Sequence, residues 1–125
     1  MSSVSKGKRF ENFVADQLKQ MGYHIAYKSV RMRFGAIDFD GLWDIVAIKR
    51  VDFLALNKEI FPDRKPVQPV VMWMFVQCKS SRMYGKDKQL LIDWMHTYGF
   101  QGINCMIAVK TKVGRKTGIE WHTLQ

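Results

Sequence analysis

"VVMWMFVQCKSS", residues 70 to 81, is the stretch whose reading decides the fold of this 125-residue chain. Seven apolar residues run from Val70 to Val76 and give way to Gln77, Cys78 and Lys79. An apolar run of this length suits a strand buried on both faces. Side chains alternate along a strand, so Gln77 and Lys79 point to the same face. Either they form a polar fringe at the sheet's edge, or the strand delivers an amide and an ammonium to a site.

Upstream, "LWDIVAIKR" (residues 42–50) is apolar on both faces except at Asp44 and Lys49. Two such strands in succession read as the middle of a sheet covered on both sides. "INCMIAVKT" has the same character, "GIEWHTL" reads as a shorter closing strand, and "YHIAYKSVRM" as a strand of mixed faces. "GKRFENFVADQLKQMG" has helical spacing, with Phe10, Phe13, Val14, Gln17, Leu18 and Met21 on one arc and Gly22 as its stop. Glu11 falls about 20° beyond Leu18 on this wheel and borders the buried face. "KDKQLLIDWMHTYGF" is a second amphipathic helix, with Leu90, Leu91, Trp94, Met95 and Tyr98 on one side and Gly99 as cap. "FGAIDFDG" reads as a turn, Asp38 and Asp40 as solvated turn residues in preference to competing metal ligands, and "VGRKTG" as a hairpin turn whose exposed basic tip is either solvated or in contact with DNA backbone. The expected class is α/β, a mixed sheet flanked by helices in the order α-β-β-β-α-β-β, within one domain spanning residues 1–125.

Composition bounds the function. Lys and Arg number 20 against 11 Asp and Glu, a net charge of +9 that favours a polyanionic partner, most often nucleic acid. Cys78 and Cys105 each sit in an apolar run and read as free thiols of a reducing compartment. The sequence opens without the apolar segment of a signal peptide, and seven apolar residues fall far short of a membrane span. A cytoplasmic location is expected. His24, His96 and His122 show no zinc-type spacing with one another or with the cysteines. Ser80 and Ser81 have no histidine placed to activate them and read as strand-end caps or phosphate contacts. Trp43, Trp73, Phe75 and Trp94 read as core.

If strands 42–50 and 70–79 pair antiparallel, Asp44 lies opposite Gln77 and Lys79. A buried Asp is costly unless it is paired or bound to a metal. Lys79 could serve as its salt-bridge partner, but that leaves Gln77 and Glu11 without a role. Phosphodiester hydrolysis accounts for all four. Magnesium takes hard oxygen ligands from one or two carboxylates and completes its shell with water and phosphate. Asp44, the Gln77 side-chain oxygen and the Cys78 backbone carbonyl can supply that edge, with Glu11 binding the metal or a water on it. Lys79 can orient the attacking water and stabilise the charge that grows on the phosphoryl group.

A helical Glu, an Asp and an (E/Q)-x-K strand end form the pattern of the PD-(D/E)XK nuclease superfamily. Within it the chain resembles the archaeal-type Holliday junction resolvases. The resemblance runs through "KGKRFENFV" with Gly7 and Glu11, "LWDIVA" with Asp44, "QCK", the helix leading into "YGFQGINCMIAVK", and "IEWHTL". These elements stand in the family's order over nearly the whole chain. The resemblance implies a restriction-endonuclease-like core and a homodimer that nicks opposing strands of a four-way DNA junction. Magnesium would be the cofactor, with manganese able to substitute, and neither a membrane nor a small-molecule substrate is implied. It implies Ser29 near the catalytic residues, and DNA contacts by Lys6, Lys8, Arg9, Lys28, Arg31 and Arg33. Two features depart from the family pattern. Gln77 stands where a Glu is usual, which removes one negative charge from the site. The 51–69 connection exceeds a tight hairpin and is expected to be a surface insertion that modifies DNA contact or the dimer, with Arg64 and Lys65 suited to the former. Another nuclease of the superfamily, acting in restriction or repair, and an inactive DNA-binding module are the alternatives.

Overall fold

The computed structural model describes residues 3–32, 35–51, 70–80 and 85–124. Five strands form one sheet in the order β1-β4-β5-β6-β7, where β1 is His24–Lys28, β4 Ile45–Val51, β5 Val70–Lys79, β6 Cys105–Val113 and β7 Lys116–Thr123. The β5–β6 pair is parallel and the other neighbours are antiparallel, so the sheet is mixed. Helix α1 (Ser3–Gln20) covers one face through Phe10, Val14, Ala15 and Leu18, packed on Ile45, Ala47, Met74, Val76 and Ala108. Helix α2 (Gly85–Thr97) covers the other through Leu91, Trp94 and Met95, packed with Val46, Phe75 and Ile107. The doubly apolar runs are thereby explained, because β4 and β5 lie in the middle with a helix on either side.

Glycines end both helices. Gly22 adopts φ 94°, Tyr23 N–H donates to Leu18 O at 3.0 Å and Gly22 N–H to Lys19 O at 3.0 Å, a Schellman cap. Lys49, one of two adjacent cations near the end of β4, donates from Nζ to Met21 O at 3.0 Å and caps the same helix end. Met21 is 51% exposed, contrary to the helical-wheel expectation, because it lies past the last helical residue, where that periodicity no longer applies. Helix α2 also turns differently from the reading. Leu90 is 54% and Tyr98 59% exposed, because the buried arc centres on Leu91, Trp94 and Met95.

The stretch 23–32, read as one strand, is two. β1 ends at Lys28, and Val30–Met32 (β2) forms a separate two-stranded sheet with Gly35–Ile37 (β3), inside what the sequence suggested was a turn. The break falls at Ser29, whose N–H donates to Asp44 O at 2.6 Å. After β3 the chain reverses at Asp40 and Gly41, with φ of 53° and 70°, and Leu42 N–H donates to Phe39 O at 3.1 Å. Positive φ at both central residues is the type I′ geometry that Asp-Gly favours. Trp43, Phe75 and Trp94 are core, but Trp73 is 43% exposed and stacks along Phe75 at 6.1 Å. Cys78 and Cys105 are thiols, not halves of a disulfide, and burial pushes the Cys105 thiol up to about 11. Residues 52–69, with Arg64 and Lys65, lie outside the described residues, as do Arg33 and Ser81.

Candidate functional site

The site is built where β4 begins and β5 ends. Ile45 pairs with Val76, which sets Asp44 across from Gln77 as the antiparallel reading requires. Asp44 is fixed from three directions: its N–H donates to Val76 O at 3.0 Å, its carbonyl accepts from Ser29 N–H, and its Oδ2 accepts from Cys78 N–H at 2.7 Å. The side chain is 6% exposed. Among the described residues it has no ion pair, so the salt bridge to Lys79 is not made.

The charges around Asp44 are acidic. Glu11, 4% exposed on helix α1, and Asp38, from the segment before the Asp40–Gly41 turn, both act on it. Its carboxyl is pushed up to about 7, chiefly by burial, then by repulsion from Asp38 and Glu11 and by a hydrogen bond shared with Asp38. The single Cys78 N–H bond pulls the other way and is outweighed. Two carboxyl groups can share a hydrogen bond only with a proton between them.

Asp38 is the residue that the sequence reading undervalued. It is half-buried rather than solvated, and Ser29 Oγ donates to its Oδ1 at 2.6 Å. Ser29 is itself 6% exposed, so the serine lies at the site but spends its hydroxyl on Asp38. Asp40 is exposed yet also bound, its Oδ2 accepting from Trp94 Nε1 at 2.7 Å, which ties the turn to helix α2. The Asp-Gly pair marks the turn itself, but nothing local in the sequence marks Asp38 as a neighbour of Asp44.

Gln77 and Lys79 are half-buried and alternate with Val76 and Cys78, which pack on the helix α1 side. They therefore follow Phe75 to the helix α2 side. Glu11 arrives from the opposite side, so the four residues gather at one end of the sheet and not on one face. The Gln77 side-chain oxygen is shielded from solvent and has no hydrogen-bond partner among the described residues. Lys8 and Arg9 are exposed on helix α1, and Lys28 donates to Asn12 Oδ1. Of Lys6 and Arg31 only the backbone is described.

The donor set fits magnesium in kind. It offers hard carboxylate oxygens on Asp44, with Asp38 and Glu11 beside it, and a desolvated amide oxygen on Gln77 that lacks a partner. No three His, Cys, Asp or Glu side chains among the described residues converge closely enough to hold a cation by themselves. Such a cation would thus depend on water and substrate oxygens for the rest of its shell, as magnesium commonly does. No helix among the described residues is long and apolar enough to cross a membrane. No family model matches the chain, and no curated protein or solved structure matches it either.

Proposed function

We propose that the protein is a magnesium-dependent endodeoxyribonuclease of the cytoplasm that acts as a homodimer on four-way DNA junctions. The mixed sheet with a helix on each face is read as a restriction-endonuclease-like core, with the β2–β3 hairpin as an addition to it. One observation carries the proposal. A buried Asp44 at the end of two central strands is pressed by two further carboxyl groups, opposite a Gln77 whose shielded oxygen lacks a partner. A purely structural Asp gains nothing from acidic neighbours, whereas a cation-binding one does.

Bound there, a divalent cation would polarise the phosphoryl oxygen and acidify a water. The chain's own residues supply the remainder. Asp44 is held rigid by Cys78 N–H, and its carboxylate would bind the cation together with the Gln77 side-chain oxygen. Ser29 and Asp38 fix the Asp44 side from behind, and Glu11 adds negative potential from helix α1. Lys79, at the strand's tip, would orient the attacking water and stabilise the charge developing on phosphorus. Lys6, Lys8, Arg9, Lys28, Arg31 and Arg33 would contact phosphates, with manganese able to replace magnesium.

The test compares cleavage of a mobile four-way junction with that of linear duplex, with and without magnesium. Paired nicks on the junction alone are expected. Cutting of linear duplex would replace this reading with a restriction or repair nuclease, and tight binding without cutting would leave a DNA-binding module. Asp44→Asn should abolish cleavage and leave junction binding largely intact; preserved cleavage would overturn the assignment of Asp44.

A further inference from the structure

The β6–β7 hairpin continues beyond the sheet end that carries the site. β5 runs parallel to β6 with Lys79 against Val109, and β5 ends there. β6 goes on through Lys110, Thr111, Lys112 and Val113, paired only with β7 on the described chain. Four residues at strand rise extend roughly 13 Å past the last β5 residue. A two-residue turn closes the hairpin, with Gly114 at φ 64° supplying the positive φ that its first position needs.

This projection carries Lys110, Lys112, Arg115 and Lys116, and the sequence has no Asp or Glu between Asp93 and Glu120. Lys112, Arg115 and Lys116 are exposed, and none of the four cations is ion-paired among the described residues. Glu120, the first acid beyond the arm, is already engaged by His122 Nε2 at 2.8 Å. Lys110 and Lys112 alternate with Val109, so they share the face of Ala108 and of helix α1, from which Glu11 reaches the site. The base of the arm lies beside that helix, where Phe13, Gln17, Gly118 and Trp121 line a common cleft. A solvated turn needs no such concentration of unpaired like charge on a stiff two-stranded arm, and holding it together costs repulsion.

We propose that this hairpin is a phosphate-binding arm that grips the backbone of a duplex DNA segment leading away from the site. The proposal rests on the DNA-cleaving reading for its choice of polyanion, but it concerns binding alone. The arm follows the direction of β5, so a duplex held along it is directed toward Lys79 and Asp44. It grips backbone phosphate and so carries no sequence preference.

The experiment measures binding of a labelled four-way junction by fluorescence anisotropy in EDTA, over a salt series, for wild type and for the variant K112A/R115A/K116A. Because these side chains are exposed, the variant should melt as wild type does, and the single charge reversal Lys112→Glu serves as an independent second probe. Affinity should fall about tenfold or more, and the slope of log K against log salt should flatten by about 0.9 for each phosphate that the arm no longer neutralises. Lys112→Glu should weaken binding in the same direction. Unchanged affinity and slope in both variants would overturn the arm. Binding of wild type to anionic phosphatidylglycerol vesicles in place of DNA, abolished in the variant, would also overturn it and would refute the nuclease reading as well. Junction binding that depends on the arm, in a protein that cuts nothing with magnesium, would uphold the arm and refute the nuclease reading alone.

Discussion

Asp44 is caught between two demands, since its backbone stitches β4 to β5 while its carboxyl is held in an acidic, desolvated corner. The sign of its effect on stability follows. Its folded pKa, about 7, lies above the ordinary 3.8, so between those values the folded state binds more protons than the unfolded. Stability therefore falls as pH rises from about 4 to about 7 and is level above, a loss on the order of a few kcal/mol. Asp44→Asn removes the charge, and its Oδ1 can still accept from Cys78 N–H. The variant should melt several degrees above wild type at pH 8 and within a degree or two of it at pH 4. A constant offset across that range would show that the carboxyl does not titrate there. Gln77→Glu tests the opposite edge of the site. If the amide oxygen is a weak metal ligand, the added charge should lower the magnesium concentration giving half-maximal cleavage by several-fold. A loss of activity would assign the amide another task.

At the scale of elements, what the sequence disclosed and what it concealed have a common physical basis. The apolar runs of β4, β5 and β6 and the two glycine-ended helices were legible because their signals are local: period, length and cap. Asp44 opposite Gln77 was legible too, since antiparallel pairing of neighbouring strands sets that register. The β2–β3 hairpin and the recruitment of Asp38 were not, because they depend on one serine leaving the sheet at a point that nothing in its own composition marks. Helix α2 makes the limit measurable. Leu90 and Leu91 differ by about 100° on the helix, and composition cannot say which of them faces the sheet. Only Leu91 does, at 2% exposed against 54%. In urea denaturation Leu91→Ala should cost about 2–5 kcal/mol, whereas Leu90→Ala should stay within about 0.5 kcal/mol. Comparable losses at both positions would mean that helix α2 is rotated from this packing.

Among the described residues one such site lies at one end of the five-stranded sheet, and that constrains how the proposed nuclease could act on a four-way junction. Two opposing strands must be cut for the junction to separate into duplexes, and a 14.6 kDa chain with one candidate site among its described residues would not address both at once. The proposed function thus requires two protomers, each contributing its own Glu11, Asp44, Gln77 and Lys79. A closed symmetric dimer is the ordinary way to place two identical sites on a two-fold substrate. Mixing wild type with Asp44→Asn protomers isolates this requirement. On a supercoiled plasmid carrying an extruded cruciform, two active sites in one dimer linearise the circle, whereas a mixed dimer cuts one strand and leaves a nicked circle. At equal proportions with free exchange, random assortment makes half of the dimers mixed, so nicked circles should rise at the expense of linear product. If the added variant merely halves the linear product and no nicked circle accumulates, the two cuts are not made by paired protomers, and the dimer reading falls even though the chemistry at Asp44 stands.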